Sequence, residues 1–358
     1  MKIIKLVKRG ARQLLEKKRR HDDDREKLNE INRYIKISTE EIPMLNSAQE
    51  KEIDTYWAQY GIHMSHEWHR VFYAKTGRSD PHFISKTAFN HDVRPYMNDA
   101  RLAGAWSDKA YLDFFIRGVR TPECVLRNVS GRFLDHNYSL VSFKTAQSII
   151  DSYDQLVIKP TVYTHTGMGV KLLEKPYLLE DIISEYKENF VLQLPLRQHS
   201  EMAKLNASSI NTIRVNSVLL EDHAYVMSCF VKVGEAGQFA DNSGSKRFFI
   251  GIRTEDGCFQ NYAIDHDLNR YTEIPSGYAF ANQPVPGFEK LCETVCRAHE
   301  CLGHFGFAFW DMCICEDREA AVVEVNLRNP DSTIAQATGG PFFGKYTEQI
   351  MEYINGRI

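Results

Sequence analysis

The apolar positions fall into three regimes along the chain. Ile3, Ile4, Val7, Ala11, Leu14 and Leu15 recur at helical spacing, which predicts an amphipathic helix over residues 1–20. Residues 21–95 are polar and helix-rich. The STEE run at Ser38 reads there as a helix-capping pattern, and Tyr56, Trp57, Trp68, Phe72 and Tyr73 follow it as aromatic anchors. Residues 96–155 form a shorter α/β stretch. From Leu156 onward, short β-rich runs alternate with amphipathic helical patterns, ending on a helix across YTEQIMEYI. The pattern predicts an α+β protein with a helical amino-terminal region ahead of a β-rich body.

Composition bounds what such a chain can be. Its 358 residues, 43% hydrophobic and 11% aromatic, can supply a substantial packed core, which excludes disorder for most of the length. No stretch approaches the roughly 20 apolar residues that span a bilayer, and the first residues lack the apolar core and cleavage site of a secretory signal. The expectation is a cytoplasmic protein. Eight cysteines are scattered without a CxxC pair and are expected to be reduced. Cys292, Cys296, His299, Cys301 and His304 are zinc-type ligands in one stretch. Leu291, Val295 and Leu302 recur among them at helical spacing, so the expected reading is thiols packed on an amphipathic helix.

Charge is unevenly placed. Residues 1–20 hold nine basic side chains against Glu16 alone, a balance of +8, so the rest of a chain of net charge −3 carries −11. An apolar stripe on a cationic helix suits an anionic membrane surface, where each basic residue contributes on the order of 1 kcal/mol. The other reading is a helix docked on its own domain. Nucleic acid is disfavoured, because the stretch has no aromatic stacking residues and the body is acidic.

The strongest chemical signal lies in FAFWDMCICEDREAAVVEVN. Two apolar, strand-like runs flank a polar turn, and a hairpin centred between Asp317 and Arg318 sets Asp311 opposite Glu324. Asn326, two residues on, projects from the same face. Opposed carboxylates among Phe, Trp and Val are destabilising without a counter-ion. Two carboxylates and an amide carbonyl are hard donors suited to Mg2+, which completes its shell with water and phosphate oxygens. The alternative is a hydrated sheet surface, which the apolar composition of both strands opposes.

A second unit, LVIKPTVYTHTGMGVKLLE, reads as strand, flexible loop, strand. It lacks the GxxxxGK pattern and opens no helix. Glycines at 167 and 169 would let backbone amides approach phosphates, and Lys159 adds charge. On its own, such a loop is more commonly an ordinary turn.

Together, LVIKP, THTGMGV, NTIRV, WD and VVEVN resemble the ATP-grasp superfamily, and within it the sugar-transfer-associated group, over roughly residues 50–345. The resemblance implies an ATP-grasp core of two α/β subdomains with mixed or antiparallel sheets, here residues 156–358 divided at about 195. It also implies ATP and Mg2+ as cofactors. Lys109 of the DK pair and Lys159 would touch ATP. Thr164, Thr166, Gly167, Met168 and Gly169 would fold over its phosphates. The segment from Gln193 through Leu194 to Leu196 would read adenine, although Gln193 stands where many relatives carry an acid. Asp311, Glu324 and Asn326 would hold the metal, and Arg214 would meet the transferred phosphate, with a structural salt bridge as its rival role. Many relatives carry a basic residue two positions before the metal aspartate; here it is Phe309.

The implied reaction joins a carboxylate to an amine through an acyl phosphate. An amino acid or amine and a carboxylated sugar or glycan precursor are the expected partners. Asp241, Asn242, Lys246, Arg247 and Arg328, together with the loop Thr338 to Gly344, are candidates for the substrate pocket or equally for surface turns. A phosphotransferase and a non-catalytic ATP-binding module of a polysaccharide-assembly complex are the other readings open to this sequence.

Overall fold

The computed structural model describes residues 2–162, 167–239, 246–328 and 332–356, with side chains from Lys18 onward. The fold is α+β, as the sequence predicts. The chain forms two compact units. One comprises residues 1–97, 267–269 and 332–358, and the other residues 98–266 and 270–331.

The first unit is helical. Its opening helix runs without a break over Lys2–Ile37 and is followed by Ser47–Ala58 and His66–Thr76. Trp57, Trp68, Phe72, Phe83 and Phe89 are buried, as are Ile334, Phe342 and Ile350 from the end of the chain. Of the aromatic anchors read from the sequence, Trp57, Trp68, Phe72 and Tyr73 are therefore core residues and Tyr56 is half-buried. The helix start differs from the expected one. Ser38 follows the end of the first helix and its hydroxyl, with Glu40, receives the buried Lys75 ammonium at 3.2 and 2.8 Å. The real cap is Asn46, which accepts from the Ala48 and Gln49 amides while the Gln49 side chain returns to the Asn46 amide. Both segments contain cap-forming residues, and the lysine claims the first.

The second unit holds two antiparallel sheets among the described residues. Strands β1 (Cys124–Val129), β2 (Arg132–Leu134), β3 (Leu140–Val141), β4 (Gln155–Pro160), β5 (Lys171–Glu174) and β6 (Phe190–Gln193) form a sheet of order β3-β2-β1-β6-β4-β5. Helices Phe143–Ile150 and Leu179–Tyr186 cover one face, packing Ala146, Ile150, Leu179 and Ile182 on Leu126, Leu156, Ile158, Phe190 and Leu192.

Strands β7 (Ile213–Leu220), β8 (His223–Val233), β9 (Phe248–Ile252), β10 (Phe259–Ile264), β11 (Arg270–Tyr271), β12 (Phe307–Ile314) and β13 (Ala320–Asn326) form the second sheet, ordered β11-β10-β9-β8-β7-β12-β13. Strand alternation splits it into two chemical faces. Ile213, Val215, Val231, Ile250, Trp310, Met312 and Val325 pack with Leu291, Val295 and Ala298 of helix Phe288–Glu300. The Cys- and His-bearing stretch is thus a core helix. His299 is fully buried, its Nδ1 2.8 Å from Ser217 Oγ and its Nε2 3.0 Å from the Phe305 carbonyl, and burial pushes its pKa down to about 4. Burial also pushes the Cys292 and Cys296 thiols up, to about 12 and about 11. Among the described residues no three His, Cys, Asp or Glu side chains are grouped to hold a metal.

Candidate nucleotide and metal site

The opposite face of the seven-stranded sheet is polar at its centre. In register across three strands lie Arg214 on β7, Asp311 on β12 and Glu324 on β13. The pairing of Asp311 with Glu324 is the one the hairpin argument predicted. Asn326 lies one step further along the same face, opposite Phe309. The hairpin reaches this register by an unexpected route. Ile314 pairs Ala320, which centres the turn on Asp317, and the register then shifts between Asp311 and Met312. One residue of bulge on β13 restores the pairing of Asp311 with Glu324.

Asp311 is nearly inaccessible, with 6% exposure. Its Oδ1 accepts from Arg214 Nε at 2.8 Å and from Lys232 Nζ at 2.6 Å, and its Oδ2 accepts from Arg214 Nη2 at 3.1 Å. Burial opposes the charge, but the two cations outweigh it and hold the carboxyl well below the usual carboxylate range. Glu324 is half-buried and pairs with Lys109 Nζ at 3.2 Å.

Lys109 comes from a short turn, Lys109–Tyr111, that Asp108 caps at the Ala110 amide (2.9 Å). The fully buried Arg127 of β1 fixes this turn, donating to the Ala110 carbonyl at 2.8 Å and to Asp113 at 2.6 Å. The Lys109 amide donates to the Thr161 carbonyl (3.3 Å), so the turn also meets the end of β4.

The six-stranded sheet contributes the face opposite its two helices, on which Ala110 of the Lys109 turn packs against Cys124 and Val191. Lys159 and Gln193 stand on neighbouring strands, pairing with Val191 and Val157 respectively. The Lys159 charge acts on Cys124 of this sheet and on Cys313 of the other. Burial pushes the Cys124 thiol up to about 12, and a hydrogen bond to Cys315 with burial pushes Cys313 up. Gln193 is buried, and among the described residues its Oε1 has no hydrogen-bond partner. Leu196, Ile210 and Val323 pack around Cys313, Cys315 and Ala321, giving an apolar patch. The Leu194 amide donates to the Glu123 carbonyl at 2.9 Å.

After β4 the chain loops back to β5. Gly167 and Gly169 have left-handed φ of 68° and 74°, and Met168 is exposed. The Gly169 carbonyl accepts from Tyr186 at 2.9 Å. Thr164, Thr166, Asp241 and Asn242 lie outside the described residues. Lys246 and Arg328 are exposed and Arg247 is half-buried. The loop Thr338 to Gly344 lies in the first unit, where Thr338, Phe342 and Phe343 are buried.

The fit of a divalent cation follows from the donor set. Asp311, Glu324 and Asn326 present hard oxygen donors on one face, but the carboxylates already face three cations. These side chains suit a metal that arrives with phosphate to engage those cations. Lys232 was not singled out from the sequence.

Residues 179–351 match the family profile described as sugar-transfer associated ATP-grasp. No curated protein matches the chain. Among solved structures it is similar to an L-amino acid ligase from Bacillus licheniformis, with 14% identity and a TM-score of 0.36 over 62% of this chain and 40% of that one. It is also similar to a D-Ala:D-Ser ligase from Enterococcus faecalis, with 13% identity and a TM-score of 0.43 over 72% of this chain and 61% of that one. The chain thus spans 40% and 61% of the lengths of these two proteins. Gln193, Arg214, Asp311, Glu324 and Asn326 all lie within residues 179–351, the stretch that matches the sugar-transfer associated ATP-grasp family.

Proposed function

We propose that the protein is an ATP- and Mg2+-dependent carboxylate–amine ligase. The observation that carries this reading is the row of Arg214, buried Asp311 and half-buried Glu324, flanked by Lys232 of the same sheet face and by Lys109 of the turn Lys109–Tyr111: five charged side chains in one cluster. Such a cluster is costly to maintain and suits a ligand that is itself highly charged. The buried Gln193 Oε1, which has no hydrogen-bond partner among the described residues, suits an adenine amine.

In this reading the acceptor carboxylate attacks the γ-phosphorus, the bond to the bridging oxygen breaks, and ADP leaves. The amine then attacks the acyl carbon and inorganic phosphate leaves. Asp311, Glu324 and Asn326 would hold Mg2+, which when bound screens phosphate charge. Lys109 and Lys159 would hold the polyphosphate, and Arg214 would stabilise charge on the transferred group. Thr164, Thr166 and the glycines at 167 and 169 would close over the phosphates. Asp241, Asn242, Lys246, Arg247 and Arg328 would border the acceptor. An amino acid joined to a carboxylated sugar or glycan precursor is the substrate pair proposed.

Phosphate release with ATP, Mg2+, amino acids and uronic acids tests this reading, with hydroxylamine as a general amine. Hydroxamate formation is expected, falling by about 10²-fold or more in Asp311→Asn. A stable phosphorylated acceptor without amide would replace ligation with simple phosphoryl transfer.

We also read residues 1–20 as an interfacial helix on an anionic membrane. The apolar stripe and the +8 balance of residues 1–20, carried on the unbroken helix Lys2–Ile37, support this reading, and among the described side chains the later part of the helix pairs Arg20 with Asp92, Asp23 with His91 and Glu30 with Lys86. Among the described residues no helix is long and apolar enough to cross a membrane.

A further inference from the structure

Lys232 is the penultimate residue of β8, whose last seven residues are buried, and its side chain is 7% exposed. An ammonium has three N–H donors, and among the described residues the side chain's partner is Asp311 Oδ1, at 2.6 Å. Two donors of a nearly dry cation are thus left over, which favours a further oxygen-bearing ligand. Asp311, for its part, is covered by two cations. Lys232 and Arg214 Nε share Oδ1, and Arg214 Nη2 takes Oδ2.

Charge decides what such a site admits. Lys109, Arg214 and Lys232 against Asp311 and Glu324 leave these five side chains at +1. A divalent cation alone would raise the cluster to +3 in a poorly hydrated setting. The same cation arriving with a nucleoside triphosphate of charge about −4 brings it to about −1.

We propose that Lys232 is a positioning residue that closes Asp311 to bare divalent cations and transfers its ammonium to a phosphate oxygen when a metal–nucleotide complex enters. Metal admission is then conditional on the polyphosphate. Lys232 also places on β8 a cation that the Phe309 position lacks. The proposal rests on the metal–nucleotide reading of Asp311 and Glu324.

Mn2+ binding to the full chain, followed by electron paramagnetic resonance with and without ADP, tests it. Mn2+ bound equally by Asp311→Asn is assigned to sites elsewhere on the chain and subtracted. The wild type should bind Mn2+ at least about tenfold more tightly with ADP than without. Lys232→Gln should bind bare Mn2+ about tenfold more tightly than the wild type and lose most of the ADP dependence, and Lys232→Arg should restore the wild-type pattern. Tight bare-Mn2+ binding by the wild type overturns the proposal, and so does unchanged bare-Mn2+ affinity in a folded Lys232→Gln that still binds ADP. The wild-type comparison stands whether or not Lys232→Gln folds. A wild type that binds neither ADP nor Mn2+ with ADP removes the metal–nucleotide reading itself.

Discussion

Asp311 owes its position to alternation: Trp310 and Met312 face the helix-covered core, so the aspartate must face the other side of the sheet. That much is readable from the sequence, as is the anomaly of Arg214 between Ile213 and Val215. Lys232 escaped the same argument because it stands near the end of its strand, where a lysine ordinarily reaches water. Only the position of β8 beside β7 turns it inward. Outside the site, His82 shows how single residues tie the end of the chain into the first unit. Its Nδ1 lies 2.5 Å from Asp80, its Nε2 3.3 Å from Glu348, and Tyr56 donates to Glu348 at 2.9 Å.

The hydrogen bond to Asp80 raises the His82 pKa despite burial, while both carboxyls are lowered against their own burial. A raised histidine contributes stability that is full below its unfolded pKa of about 6.5 and lost as pH rises through its folded value. The lowered carboxyls contribute above about pH 4 and lose that contribution as pH falls. The network should therefore stabilise most near pH 5–6. His82→Gln is expected to lower Tm by about 1–3 °C there and by less at pH 8. A Tm difference that grows toward pH 8 would contradict the assignment.

Among the elements, the β12–β13 hairpin was legible in what it brings together and not in how it does so. The actual turn is centred half a residue earlier than predicted, and the bulge cancels the offset. Alternation records which face a residue takes, whereas a bulge and a shifted turn leave no separate mark. The β4–β5 connection was legible from its glycines, and the structure gives one of them a steric reason. Gly169 has φ of 74°, and a Cβ there would lie 2.8 Å from Pro160 Cγ. Gly169→Ala should cost about 1–3 kcal/mol of stability in denaturant melts and raise the KM for ATP, because the loop's anchor to Tyr186 must shift. A variant with wild-type stability and KM would show that this conformation is not required.

At the scale of the whole molecule, the fold class followed from the change of period near Leu156. The association of residues 332–358 with the first 97 did not, because a local pattern does not record which distant apolar faces meet. The amino-terminal helix makes a separable prediction. A chain lacking residues 1–20 should no longer float with vesicles containing anionic lipid, while the full chain should. Equal flotation would leave the helix no membrane role.

The central claim is that Asp311, Glu324 and their three cations receive a metal–nucleotide complex, and calorimetric titration with ADP tests it directly. The wild type should bind ADP at least about tenfold more tightly with Mg2+ than without it, and Asp311→Asn should bind equally in both conditions. No binding of ADP by the wild type, or the same Mg2+ dependence in Asp311→Asn, would contradict the account.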